Sequence, residues 1–107
     1  MEDSENGIYL CDDMLKEEER AQYEALHQME VLFKYEDNST GYGHHSNEYI
    51  LKDENGRFWA ADSNGCSCEG NCSWVGPLDT ADKAWEYVSE MYREQMRQAG
   101  PAGYVVE

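Results

Sequence analysis

The sequence predicts an α+β domain: a three-stranded antiparallel sheet with an N-terminal and a C-terminal helix packed on it. Three observations lead there. Between Met29 and Glu36 apolar side chains alternate with polar ones, the period of a half-buried strand. Asn55-Gly56 stands between two further alternating segments, a hairpin signal because both residues tolerate positive φ. From Ala81 to Met96 the apolar positions recur at helical spacing instead. Placing both helices on one face of the sheet is the simplest way to bury the aromatics.

The elements follow in chain order. Residues 1–7 read as a flexible acidic tail, residues 8–99 as one domain, and residues 100–107 as a C-terminal tail in which 103–107 can add an edge strand. Ile8, Tyr9, Leu10 and Cys11 make a short apolar patch suited to an edge strand or a docking segment. Asp12 or Asp13 is placed to cap a helix running to about His27, with Glu17 and Glu18 at the positive end of its dipole. Met14, Ala21, Ala25 and Met29 keep helical spacing along it.

In the strand that follows, Met29, Val31, Phe33 and Tyr35 are expected on one side and Glu30, Leu32, Lys34 and Glu36 on the other. Residues 37–47 read as a loop, residues 48–52 and 57–62 as the hairpin strands, and residues 63–76 as a second loop. The last helix is expected from about Thr80 to Ala99, capped by Asp79 and stopped by Gly100-Pro101. Ala81, Trp85, Val88, Tyr92 and Met96 share one of its faces.

Composition bounds the function. The 107 residues fit one domain, and no run of about 18 apolar residues is present to span a membrane. The start MEDSENG lacks the basic and then apolar order of a secretory signal, so export by that route is not expected. Leu, Ile, Val and Phe together number 15, whereas there are 8 Tyr, 3 Trp and 5 Met, so the core is expected to be thin and aromatic. The formal charge is −15, and residues 1–40 alone hold 12 carboxylates against Lys16, Arg20 and Lys34. A field of that sign repels nucleic acid and anionic lipid and attracts basic surfaces.

Candidate chemistry centres on the cysteines. Cys66, Cys68 and Cys72 lie close together, and with His44, His45 or the distant Cys11 they could complete a tetrahedral zinc site. Two separated C-x-x-C pairs are absent, so thiols or one facultative disulfide compete with metal. A nucleophilic Cys66 or Cys68 with a histidine base is disfavoured, because the surrounding carboxylates suppress the thiolate. No calcium loop and no phosphate-binding glycine loop is present. The sequence therefore carries no catalytic signature, and no cofactor is expected unless zinc is bound.

The segment EYILKDENGRFWAADSNGCSC followed by WVGPLDTADKAWEYV resembles a group of small proteins encoded by phages of actinobacteria. Leu51, Asp53, Gly56, Arg57, Phe58 and Trp59 match the hairpin of that group. Gly65 to Cys68 match its Gly-Cys-Ser-Cys loop, and Trp74, Gly76, Pro77, Asp79 and Thr80 match its helix start. The resemblance spans roughly residues 30–90 and implies a phage gene product made in a bacterial cytoplasm. Taken with the charge, the expectation is a non-catalytic phage accessory protein that binds and modulates or inhibits a host protein with a basic surface, such as a nucleic-acid-binding or defence protein, in one form by imitating the phosphate backbone of DNA. The residues expected to do so are Asp13, Glu17, Glu18, Glu24, Glu30 and Glu36, with Tyr42, Trp59 and Trp74 as aromatic contacts.

Overall fold

The computed structural model describes residues 6–11, 15–37, 45–65, 70–100 and 103–106. A 3-10 turn, Glu17–Glu19, leads into α1, Arg20–Leu26. Four antiparallel strands follow: β1 Glu30–Asp37, β2 His45–Lys52, β3 Phe58–Gly65 and β4 Gly70–Leu78. Two helices, α2 Ala81–Trp85 and α3 Glu90–Ala99, precede a short strand β5, Tyr104–Val106, which joins β1 in parallel. The sheet order is β4-β3-β2-β1-β5.

The expected three strands are thus corrected to four antiparallel ones, with β5 as a fifth. The strand missed is β4. Gly70, Ser73, Gly76 and Pro77 dilute its β-forming residues, and such a composition is tolerated because β4 lies at the edge of the sheet. The expectation of helices on one face is corrected as well. Ile8, Leu10, Leu26 and Met29 cover Tyr49, Leu51, Trp59 and Ala61 on the first face. Ala84, Trp85, Val88 and Met96 cover Tyr35, Ile50 and Ala60 on the second.

The strand that feeds both faces is β1. Its pairing with β2 is in register from Phe33 onward but shifts between Val31 and Phe33, a β-bulge. One extra residue reverses the alternation, so Met29 and Val31 join the first face while Phe33 and Tyr35 join the second. Glu36 consequently faces the first side, where its Oε2 accepts a 2.8 Å hydrogen bond from the buried Tyr49 hydroxyl. Burial above all pushes the Tyr49 phenol well above its usual range, and the adjacent Glu36 carboxylate adds to the shift.

The long C-terminal helix is interrupted after Trp85, and Ser89 opens α3 in extended conformation. Thr80 rather than Asp79 is the N-cap of α2, its hydroxyl accepting from the Lys83 amide at 3.3 Å. Ala81, Trp85, Val88, Tyr92 and Met96 still pack into one cluster despite the break. Arg93 Nε donates to the Val88 carbonyl at 2.9 Å, and the Arg97 guanidinium lies 4.7 Å from the centre of the Trp85 ring. The first helix begins later than expected, and the capping candidates Asp12 and Asp13 lie outside the described residues.

Residues 6–11 form no strand; they lie across the first face as a strap. Asn6 Nδ2 donates to the carbonyls of Leu26 and Met29, both at 2.9 Å. The Tyr9 amide donates to the Tyr49 hydroxyl at 2.9 Å, and Asn47 Nδ2 donates to the Tyr9 carbonyl at 3.2 Å. Tyr23 donates to the Leu10 carbonyl at 2.7 Å, and the Cys11 amide donates to Ser63 Oγ at 2.9 Å. Backbone groups that would otherwise be buried and unpaired are thereby satisfied without a ladder.

Candidate functional site

The β2–β3 hairpin sets the geometry of the main site. Its connection occupies residues 53–57, closed by the Asp53 amide donating to the Arg57 carbonyl at 2.9 Å, with Gly56 at φ +80°. Asp53 organises it: Oδ1 accepts from the amides of Asn55 and Arg57 at 2.9 and 3.0 Å, and Oδ2 accepts from Trp59 Nε1 at 2.9 Å. The indole bond, and then the Arg57 amide, hold the Asp53 carboxyl below its ordinary value. Because Lys52 pairs with Phe58, Glu48 falls directly opposite Asp62.

Both carboxylates belong to the second face, with Ile50 and Ala60 further along the same strands. There they line a pocket of about 320 Å³ together with Ala60, Ser73, Val75 and Tyr87. Ser73 donates to Asp62 Oδ1 at 2.6 Å, which orients that carboxylate. Tyr87, 59 % exposed, stands at the end of α2 and forms the outer wall. Burial, and second the negative charge of Asp62, push the Glu48 carboxyl up to about 8. Among the described residues, no Lys, Arg or His lines the pocket to neutralise the pair. Such a site suits a cationic ligand group, or a proton in its place.

The residues expected from sequence are dispersed. Glu17, Glu18 and Glu24 are exposed along the 3-10 turn and α1, and Glu30 is exposed at the start of β1. Glu36 lies near the other end of β1, half-buried and engaged by Tyr49. Trp59 is 6 % exposed in the first core, while Trp74 is half-buried against the same cluster, its ring 6.3 Å from that of Tyr23. Asp13 and Tyr42 lie outside the described residues.

Of the metal candidates, Cys66, Cys68 and His44 also lie outside the described residues, and Cys72 is half-buried on β4. Cys11 is brought to the same end of the sheet by the strap. A Cβ on Gly70 would lie 2.9 Å from Cys11 Sγ, so that sulfur rests against the β4 backbone two residues from Cys72. His45 is nearby, its Nε2 3.2 Å from Ser63 Oγ and its ring edge-on to Tyr9. Among the described residues, no group of three or more His, Cys, Asp or Glu side chains is placed to hold a metal ion.

Glu48, Asp62, Ser73 and Tyr87 were not singled out by sequence. The available signal was the pair of carboxylates at apolar-alternation positions of the hairpin, which only the correct turn length brings together. Comparison with protein-family models, with curated proteins and with solved structures returned no match. Among the described residues, no helix is long and apolar enough to cross a membrane.

Proposed function

We propose that this chain is a non-catalytic accessory protein, acting in the cytoplasm of a bacterial host, that binds a basic surface of a host protein. The observation that carries the proposal is the distribution of charge. The chain bears −15, and Glu17, Glu18, Glu24 and Glu30 are all exposed around α1 and the start of β1. A field of this sign speeds encounter with a basic partner and repels nucleic acid. Glu36, tied to Tyr49, contributes to the field but not to the accessible row. A row that imitated DNA phosphates would compete with duplex DNA for the same partner.

The test is capture from host lysate at low and at physiological salt. Removing residues 1–28 would strip Ile8, Leu10 and Leu26 from the core, so the comparison uses Glu17→Gln, Glu18→Gln, Glu24→Gln and Glu30→Gln combined. Retention should fall with salt and with the combined substitution. Retention indifferent to salt sinks the electrostatic account.

A second reading, a small zinc-stabilised module, is supported by the approach of Cys11 to Gly70, close to Cys72 in the chain. Protein purified without added zinc should then contain stoichiometric metal and melt earlier in chelator. Metal-free protein with unchanged melting ends that reading.

A further inference from the structure

The pocket beside β3 holds paired carboxylates, an aromatic residue at its rim and an apolar floor, and among the described residues no cationic side chain lines it. A divalent metal is poorly served there. Calcium takes 6–8 oxygen ligands, whereas among the described residues the lining offers two carboxylates, the Tyr87 phenol and the Ser73 hydroxyl already bonded to Asp62, over a floor that includes Ala60 and Val75. An organic cation with an apolar stem meets both halves of the lining. Directly opposed residues on antiparallel strands carry their Cβ atoms about 4.5–5.5 Å apart, so the carboxylates of Glu48 and Asp62 issue side by side. A planar, multiply donating guanidinium can engage two such groups at once and sheds water more readily than an ammonium. Tyr87, exposed at the rim, is an aromatic residue of the kind on which a guanidinium stacks. The volume, about 320 Å³, stands at the low end of the ~300–1,000 Å³ range of ligand pockets and suits one side chain.

We propose that this pocket receives a single arginine side chain of the basic partner, its guanidinium between Glu48 and Asp62 and its methylene stem along Ala60, Val75 and Tyr87. The assignment rests on the acidic-surface reading above and gives that partner's contact a chemistry. It also carries a proton signature. The carboxyl at position 48, held near 8 by burial and by Asp62, keeps its proton in the empty pocket at neutral pH. An entering guanidinium replaces that proton, so binding releases it. Among the described residues, the other titratable groups around Glu48 are Tyr35 opposite it on β1, Asp37 that accepts from the Tyr35 hydroxyl, Asp62 on β3, Tyr87 after α2, and Tyr92 of α3, whose hydroxyl meets Ser46 on the same face of β2.

The experiment is an amide-resolved NMR titration of the full chain with three probes: end-capped Gly-Arg-Gly, its citrulline counterpart, and guanidinium ion alone. The arginine peptide should shift the amides of Ala60, Asp62, Ser73 and Val75 to saturation. Citrulline, uncharged and of the same shape, should not. Guanidinium alone should bind at least tenfold more weakly. Affinity for the arginine peptide should rise by up to about tenfold per pH unit below 8 and then level. Glu48→Gln and Asp62→Asn should each weaken binding at least tenfold, and Glu48→Gln should flatten the pH profile. Equal binding of citrulline, equal binding of guanidinium alone, or shifts confined to α1 would overturn the proposal, and these arms use the unaltered chain. If the peptide fails while salt-sensitive capture through the α1 carboxylates persists, the pocket assignment falls and the acidic-surface reading stands. If the peptide binds but that capture is lost, the reading fails, and the attribution to a partner's side chain fails with it.

Discussion

Replacing Glu48 by Gln should make the protein more stable in mild alkali and leave it unchanged in acid. In the folded chain the Glu48 carboxyl is pushed up to about 8 from its ordinary 4.5, first by burial and then by Asp62. Below 4.5 the group is protonated whether or not the chain is folded, and it costs nothing. Between 4.5 and 8 the unfolded chain releases the proton while the folded chain retains it, so stability falls as pH rises, and the loss is complete above 8. At ~1.4 kcal/mol per pH unit that interval corresponds to roughly 5 kcal/mol. Part of the carboxyl faces solvent, and screening reduces the figure to about 2 kcal/mol. Glutamine keeps the shape and cannot ionise. Wild type and Glu48→Gln should therefore melt together near pH 4, while at pH 9 the variant should melt about 10 °C higher, given ~4–8 °C per kcal/mol for a domain of this size. Thermal and urea melts at pH 4, 6, 7.5 and 9 provide the readout, with all other groups cancelling between the two proteins. Parallel curves across that range would refute the burial and pairing assigned to Glu48.

Other perturbations probe the frame that holds the pocket. Tyr49→Phe removes the acceptor of the Tyr9 amide and the donor to Glu36, and should lower the stability measured in urea by ~1–3 kcal/mol; an unchanged midpoint would mean that the strap is not anchored there. Gly76→Ala places a Cβ 2.5 Å from the Trp59 ring at φ +155°, and overpacking should cost ~1–3 kcal/mol, whereas a neutral result would show that β4 can give way. The indole N–H resonance of Trp59 should titrate with a midpoint below 3.8 in the native chain as Asp53 protonates, and this acid step should vanish in Asp53→Asn. Because the Asp53 carboxyl is held low, whatever stability it contributes is present above its ordinary value and is lost as pH falls through the depressed one.

Several features are legible in the sequence. The hairpin around Asn55-Gly56, the strand beginning near Met29 and the apolar stripe from Ala81 to Met96 rest on local rules of turn chemistry and periodicity, and each is found. Where sequence reading failed, the cause was a one-residue offset or a non-local contact. The bulge between Val31 and Phe33 reverses the faces of β1, and alternation alone cannot reveal it. The stripe from Ala81 to Met96 does not show that the helix is interrupted before Ser89. Strand β4 has a loop-like composition and becomes a strand because β3 offers it an edge.

The candidate site illustrates the same division. Sequence alone determined that the chain is strongly acidic, that its core must lean on aromatics, and that a hairpin stands at its centre, because charge, composition and turn residues are properties of short stretches. A four-residue turn over residues 53–56 would set Glu48 opposite Ala61. The five-residue connection sets it opposite Asp62 and places both carboxylates in one pocket. Only the tertiary structure decided that pairing, since strand register is settled by turn closure and by burial on both faces together. It likewise decided which carboxylates are spent inside, as Glu36 is on Tyr49, and which remain exposed, as Glu17, Glu18, Glu24 and Glu30 do.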